Sequence, residues 1–167
     1  MKELTLSNHD DNTLLDDEDY ELYKDKTWSI YRLKNGKIGG VVTSYQRHKK
    51  LFLHRLIMSV TDPKIFVDHK DLNTLNNQKL NLRLCSGQEN SRNTGLSSNN
   101  RSGIKGVCWE TKVKKWRAAI TINSKQVFLG HFTNLQEAAD VYDIKAIEIY
   151  GEFAKTNKQL QEIVTQH

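Results

Sequence analysis

The sequence contains little cysteine and no long apolar run. Cys85 and Cys108 are the two thiols among 167 residues, and they form no Cys-x-x-Cys pair. A zinc knuckle built from thiolates is therefore excluded, as is a secreted scaffold held by disulfides, and two reduced, packed thiols are favoured over one bridge. No segment approaches the roughly 18 consecutive apolar residues of a membrane span. The N-terminus also lacks the apolar core of a signal peptide. We therefore expect a cytoplasmic protein with no membrane partner.

The charges are unevenly distributed along the chain. Lys and Arg number 25 and Asp and Glu 20, which gives a formal net charge of +5. Residues 1–25 hold two basic and nine acidic residues, so residues 26–167 carry a net charge of +12. A basic body behind an acidic leader suggests a polyanionic partner, because neutralising phosphates with Lys and Arg supplies most non-specific affinity for nucleic acid. Charge alone leaves a merely soluble basic surface as an equal alternative.

Turn signals and composition divide the chain into five ranges of an α+β protein. An N-terminal hairpin and short-helix segment covers 1–60, and an Asn-rich block covers 61–95. A small polar linker covers 96–102, a strand-and-helix domain 103–157 and a tail 158–167. In the first range, Trp28–Leu33 and Ile38–Tyr45 flank an Asn35-Gly36 hairpin turn. A short helix follows over Leu53–Met58, and the acidic run Asp16–Glu21 is expected to open another.

The Asn-rich block has the order strand, long loop, strand, helix. Ile65–Val67 and Leu82–Cys85 are the strands, and Ser86 with Glu89 three residues later predicts a capped helix start. The domain after the linker has strands over 104–109, 116–122 and 126–132. Its helix is expected to begin at Thr133, with Gln136 completing a capping box, and to end near Gly151.

Three polar side chains in the Asn-rich block suggest a catalytic site. Asp68 and His69 end a strand, and Asn90 lies in the first turn of the following helix, which can fold back over that strand. A carboxylate and an amide oxygen suit Mg²⁺ or Mn²⁺, and a neutral imidazole is a natural general base. Together they form a constellation for phosphodiester hydrolysis. The alternative is that Asp68 caps a turn, His69 packs, and the Asn side chains support loop backbone.

The block contains four motif stretches: Val67–Asp71, Leu75–Asn77, Asn81–Leu84 and Gln88–Asn93. In these it resembles the HNH nucleases, and more narrowly their phage and intron-encoded homing branch, in which Asn replaces the last His. The resemblance implies a ββα-metal finger in which His69 activates water while Asp68 and Asn90 bind one Mg²⁺ or Mn²⁺ per active site. It also implies that Asn77 fixes the loop by bonding backbone near the histidine, and that Asn81 and Arg83 support the hairpin.

Two further positions, Leu72 and His54, lie within or near this motif. Leu72 stands where the family usually has Gly, and because Leu tolerates positive φ poorly we expect the loop to take another path. His54 also matches the family, with a structural role and a phosphate contact as its two readings.

Residues 103–157 carry a long motif made of Gly103–Val107, Lys115–Ile120, Leu129–Phe132, Glu137–Ala139, Tyr142-Asp143, Gly151–Ala154 and Asn157. In these stretches the range resembles the AP2 DNA-binding domain, which lays a three-stranded antiparallel sheet, backed by a helix, in the major groove. Strand alternation then places Arg117, Thr121 and Gln126 on the DNA side, where Arg and Gln can read guanine and adenine edges. We expect other basic residues to contact phosphate: Lys105, Lys112, Lys114, Lys115 and, in the first range, Arg47. The alternative is that Arg117 and Gln126 are ordinary solvated sheet residues.

Together these features predict a site-specific, metal-dependent DNA endonuclease that acts as a monomer or homodimer on double-stranded DNA. We expect it in a bacterial or phage-infected host cell. A non-catalytic AP2-type regulator with a decayed nuclease block is the first rival, although Asp68, His69 and Asn90 are intact. An RNA-directed protein is the second, against which stands a sheet suited to the B-form major groove.

Overall fold

The structure is a computed structural model that describes residues 1–45 and 49–165. By contacts between its residues, the chain divides into two units, Met1–Asn90 and Ser91–His167. The boundary falls inside the range predicted for the metal motif and before the predicted linker at 96–102. The fold is mixed α and β, with four small antiparallel sheets among the described residues. No helix in that part of the chain is long and apolar enough to cross a membrane.

The first unit contains three of the sheets. Its strands are β1 (Lys2–Leu4), β2 (Thr13–Leu15), β3 (Ser29–Arg32), β4 (Ile38–Tyr45), β5 (Lys49–Phe52), β6 (Phe66–His69) and β7 (Leu82–Cys85). Strand β1 pairs with β2, β4 lies between β3 and β5, and β6 pairs with β7. The helices are α1 (Asp17–Tyr23), α2 (Leu53–Ile57) and α3 (Gly87–Arg92), which runs across the boundary between the units.

One apolar core joins the N-terminal hairpins to the β6–β7 pair. Trp28 is 1% exposed and packs in the same cluster as Leu15, Leu53 and Leu82. The range 1–60 and the first 30 residues of the Asn-rich block therefore fold around a common core. The predicted hairpin is confirmed: Gly36 has a φ of 82°, and Asn35 Oδ1 accepts the Lys37 N–H at 3.1 Å.

The second unit is a three-stranded sheet with a long helix packed on it. The strands β8 (Val107–Glu110), β9 (Lys115–Ile122) and β10 (Lys125–Phe132) have β9 in the centre. The helices are α4 (Leu135–Tyr150) and α5 (Asn157–Thr165). Ala118 of β9 and Ala138 and Ala139 of α4 are fully buried in one cluster, so small side chains let the helix approach the sheet closely.

The start of α4 differs from its prediction by one residue. Asn134, rather than Thr133, is the N-cap, and its side chain accepts the Gln136 N–H at 2.7 Å. Asn and Asp are at least as good as Thr at this position, so the neighbouring Asn takes the role. The end of the helix at Gly151, with a φ of 53°, is confirmed.

Candidate functional site

Strand β6 presents two adjacent polar side chains, Asp68 and His69, each 6% exposed. Successive strand residues point to opposite faces, so the two side chains have different surroundings. Asp68 lies opposite Arg83 in the β6–β7 register. The Arg83 guanidinium donates to Asp68 Oδ2 from Nε at 2.9 Å and from Nη2 at 2.7 Å. The buried carboxylate is therefore matched by a guanidinium on a side chain that is only 10% exposed.

His69 contacts a loop amide. Its Nε2 lies 3.3 Å from Oδ1 of Asn77, a side chain with no exposed surface. Asn77 Nδ2 donates to Thr13 Oγ1 at 2.8 Å and to the Thr74 carbonyl at 3.3 Å. With Nδ2 turned toward two acceptors, only Oδ1 faces the imidazole, and an amide oxygen can only accept. His69 Nε2 therefore carries the proton, and the lone pair of the neutral ring lies on Nδ1.

A second imidazole packs against the first. The rings of His54 and His69 meet edge to face with centroids 5.3 Å apart, and His54 also stacks on Phe52. Burial lowers the pKa of His54 to about 3, with His69 and Arg55 adding to the effect. Burial also lowers the pKa of His69, against the opposing effect of its Asn77 hydrogen bond and of nearby carboxylates. Both rings are thus neutral at pH 7, which is the form a general base needs.

The loop between β6 and β7 is closed by Asn81. Its Nδ2 donates to Asp71 Oδ1 at 2.9 Å and to the Asn76 carbonyl at 2.8 Å, while its Oδ1 accepts the Asp71 N–H at 3.1 Å. Leu72 lies in this loop with a φ of 69°. The expectation that Leu would avoid this conformation is wrong. The Leu72 N–H donates to the His69 carbonyl at 3.0 Å and the Asn73 N–H donates to Asp71 Oδ1 at 2.8 Å, so hydrogen bonds hold the backbone on both sides of Leu72.

Asn90 lies on α3, half-buried, one helical turn after Ser86. The predicted capping box is confirmed, because Ser86 and Glu89 bind each other's backbone N–H groups at 2.8 and 3.3 Å. The donors on β6 and α3, a carboxylate and an amide oxygen, fit a hard divalent cation. A cation on Asp68 would share that carboxylate with Arg83. Within residues 1–45 and 49–165, no three His, Cys, Asp or Glu side chains form a metal cluster.

The candidate DNA-reading side chains lie in the second unit. Thr121 and Gln126 are register partners on β9 and β10, and Arg117 Nη2 donates to Gln126 Oε1 at 2.9 Å. The Arg117 guanidinium also lies 5.7 Å from the Phe128 ring centroid. Arg117, Gln126 and Phe128 therefore share one face of the sheet. Exposed lysines flank the β8–β9 turn: Lys112, Lys114 and Lys115.

One predicted phosphate contact, Lys105, is occupied by other hydrogen bonds. Lys105 donates from Nζ to the carbonyls of Arg92 at 3.0 Å and Thr94 at 2.7 Å, and burial lowers its pKa to about 8. The expectation for Lys105 is therefore corrected: its ammonium ties backbone within the second unit. Arg47 lies outside the described residues.

Sequence reasoning missed the role of Thr13 and assigned Arg83 only to hairpin support. Arg83 could be found from the register, because a hairpin that pairs Phe66 with Cys85 sets Arg83 opposite Asp68. Thr13 gives no local signal, since it contacts Asn77 from 64 residues away.

Comparison with curated proteins places the chain in a family. A protein of Acanthamoeba polyphaga mimivirus, described as an uncharacterized HNH endonuclease, is 34% identical over 135 residues, which cover 78% of this chain and 68% of that protein. The chain belongs to the HNH endonuclease family. Protein 3.8 of Escherichia phage T7 is 36% identical over 90 residues, which cover 54% of this HNH chain and 74% of that protein.

The other two comparisons add nothing to this assignment. No family model matches the chain. No solved structure matches it either.

Proposed function

We propose that this HNH protein is a site-specific DNA endonuclease that hydrolyses phosphodiester bonds with a divalent metal ion. The observation that carries the proposal is the neutral, oriented His69, which stands beside a buried carboxylate in a chain of this family. Asp68 and Asn90 would hold one Mg²⁺ or Mn²⁺ ion. When bound, that ion would neutralise charge on the phosphate and on the leaving oxygen.

The chain's own contribution to hydrolysis is proton transfer. His69 Nδ1 accepts a proton from water, and the resulting hydroxide oxygen bonds to phosphorus as the bond from phosphorus to the leaving oxygen breaks. Throughout this step Asn77 Oδ1 accepts a hydrogen bond from the Nε2–H group, and this bond stabilises the imidazolium that forms. His54, neutral and packed on His69, adds no competing positive charge.

The second unit is proposed as the reader of DNA sequence, in the manner of an AP2 domain. A three-stranded sheet backed by α4 leaves one face for the duplex, and Arg117 and Gln126 lie together on that face. Arg contacts guanine and Gln contacts adenine in the major groove. The exposed lysines of the β8–β9 turn would bind phosphate without reading sequence.

A plasmid library incubated with and without Mg²⁺, with the cut ends read by sequencing, tests the proposal. We expect Mg²⁺-dependent cleavage at one recurring sequence, lost in His69→Ala and retained in the matched control His9→Ala. Cleavage by His69→Ala at the wild-type rate would contradict the assignment of the base. Binding without cleavage would support a non-catalytic regulator instead, and cleavage of RNA alone would support an RNA-directed enzyme.

A further inference from the structure

Thr13 connects the N-terminal strand β2 to the loop that holds His69. Its side chain has no exposed surface, and its hydroxyl donates to the Leu75 carbonyl at 2.7 Å. The backbone on either side is joined to the same loop. The Leu14 N–H donates to the Leu75 carbonyl at 2.8 Å, and the Asn77 N–H donates to the Leu14 carbonyl at 2.9 Å. The hydroxyl is therefore held in place by β2 and by the loop together.

The hydrogen bonds through Thr13 run in one direction. A hydroxyl has a single proton, and in Thr13 that proton is donated to the Leu75 carbonyl. Toward Asn77, 2.8 Å away, the hydroxyl can then act only as an acceptor, so it must face Nδ2. If the Asn77 amide were turned over, its Oδ1 would face the Thr13 hydroxyl oxygen, and two acceptors would oppose each other. Oδ1 would also be buried against the Thr74 carbonyl, which lies 3.3 Å from Nδ2 in the observed orientation.

We infer that Thr13 is a positioning residue that selects the tautomer of His69. By fixing which end of the Asn77 amide faces the imidazole, the Thr13 hydroxyl keeps the ring proton on Nε2 and the lone pair on Nδ1. The catalytic consequence rests on the proposed function, in which Nδ1 accepts the proton of water. The tautomer itself does not depend on any activity.

Two substitutions at this position separate the hydroxyl from the packing. Thr13→Val keeps the shape of the side chain and removes the hydroxyl, while Thr13→Ser removes a methyl group and keeps the hydroxyl. In the Val variant the preference for one amide orientation rests on the Thr74 carbonyl alone, at its longer distance. Asn77 can then turn and present Nδ2 to His69, which favours a proton on Nδ1.

The test is ¹⁵N NMR of the full chain, labelled at histidine and free of metal, with the His69 signals identified by their loss in His69→Ala. We expect wild type and Thr13→Ser to show the proton on Nε2, and Thr13→Val to show a mixture or the proton on Nδ1. The single-turnover cleavage rate should fall about tenfold or more in Thr13→Val, with DNA affinity unchanged. A proton on His69 Nδ1 prevents that atom from accepting one from water, and this removes general-base catalysis. Thr13→Ser should retain the wild-type rate.

Several results would overturn the inference. A wild-type spectrum with the proton on Nδ1 does so by itself, even if no variant folds. So does a folded Thr13→Val with an unchanged tautomer, or a Thr13→Ser that shifts as far as Thr13→Val. If the tautomers behave as expected but wild type cuts no DNA, the proposed function fails and the role of Thr13 in the tautomer stands.

Discussion

Replacing Arg83 with Met should lower the free energy of unfolding by about 3 kcal/mol or more, since it leaves the Asp68 carboxylate buried without its cation. The structure sets this magnitude. Asp68 is 6% exposed, and it accepts two hydrogen bonds from the guanidinium, at 2.9 and 2.7 Å, on one oxygen. Met keeps the apolar length of the Arg side chain, so the loss comes from charge and hydrogen bonding rather than from a cavity.

A double-mutant cycle with Asp68→Asn isolates the pair from every other contact that either side chain makes. We expect a coupling energy of about 2–3 kcal/mol, measured by urea unfolding in EDTA with the buried Trp28 reporting on the first unit. The exposed pair Lys145–Glu148 is the matched control, and its cycle should give less than about 1 kcal/mol. A coupling energy for Asp68 and Arg83 no larger than that of the control would refute the reasoning.

Three further predictions concern backbone conformation, packing and pH. Leu72→Gly should be more stable than Leu72→Ala by about 1 kcal/mol in urea unfolding, because the φ of 69° strains any side chain. Gly106→Ala should cost about 3 kcal/mol, since its Cβ would lie 2.1 Å from the Tyr142 ring, whereas Gly103→Ala, with a similar φ and open space, should cost about 1 kcal/mol. His54, with its folded pKa lowered from 6.5 to about 3, stays neutral while the unfolded chain takes up a proton. Stability should therefore fall by about 2 kcal/mol from this residue between pH 6.5 and 5, and His54→Phe should lose that dependence.

Local features of the fold were readable from the sequence. The Asn35-Gly36 turn, the box of Ser86 with Glu89 and the helix end at Gly151 each depend on residues within four positions of one another. Leu72 was misjudged because the surrounding turn outweighs the preference of a single residue. The strain that Leu adds is about 1–2 kcal/mol, which a loop closed by Asn81 can absorb.

In the candidate site, too, local features could be predicted from the sequence and long-range contacts could not. Residue types left two readings open for Asp68 and His69, and the resemblance to HNH nucleases favoured a carboxylate ligand and a base. The orientation of the two side chains comes from partners far along the chain. The acidic leader shows this most clearly. Asp16 accepts the Lys79 N–H at 2.8 Å and a Gln78 amide proton at 3.3 Å, and Asp19 pairs with the Lys79 ammonium at 3.2 Å.

These contacts give the N-terminal segment a structural role, which its negative charge alone does not indicate. A surface that binds phosphate gains nothing from nine carboxylates, yet the segment from Thr13 to Asp19 binds the loop that orients His69 across more than 60 residues. No pattern within a window of sequence encodes a pairing at that separation. The acidic leader is therefore better understood as part of the scaffold of the candidate site than as an appendage to a basic protein. Through Thr13, this segment contacts the same Asn77 side chain that bonds His69.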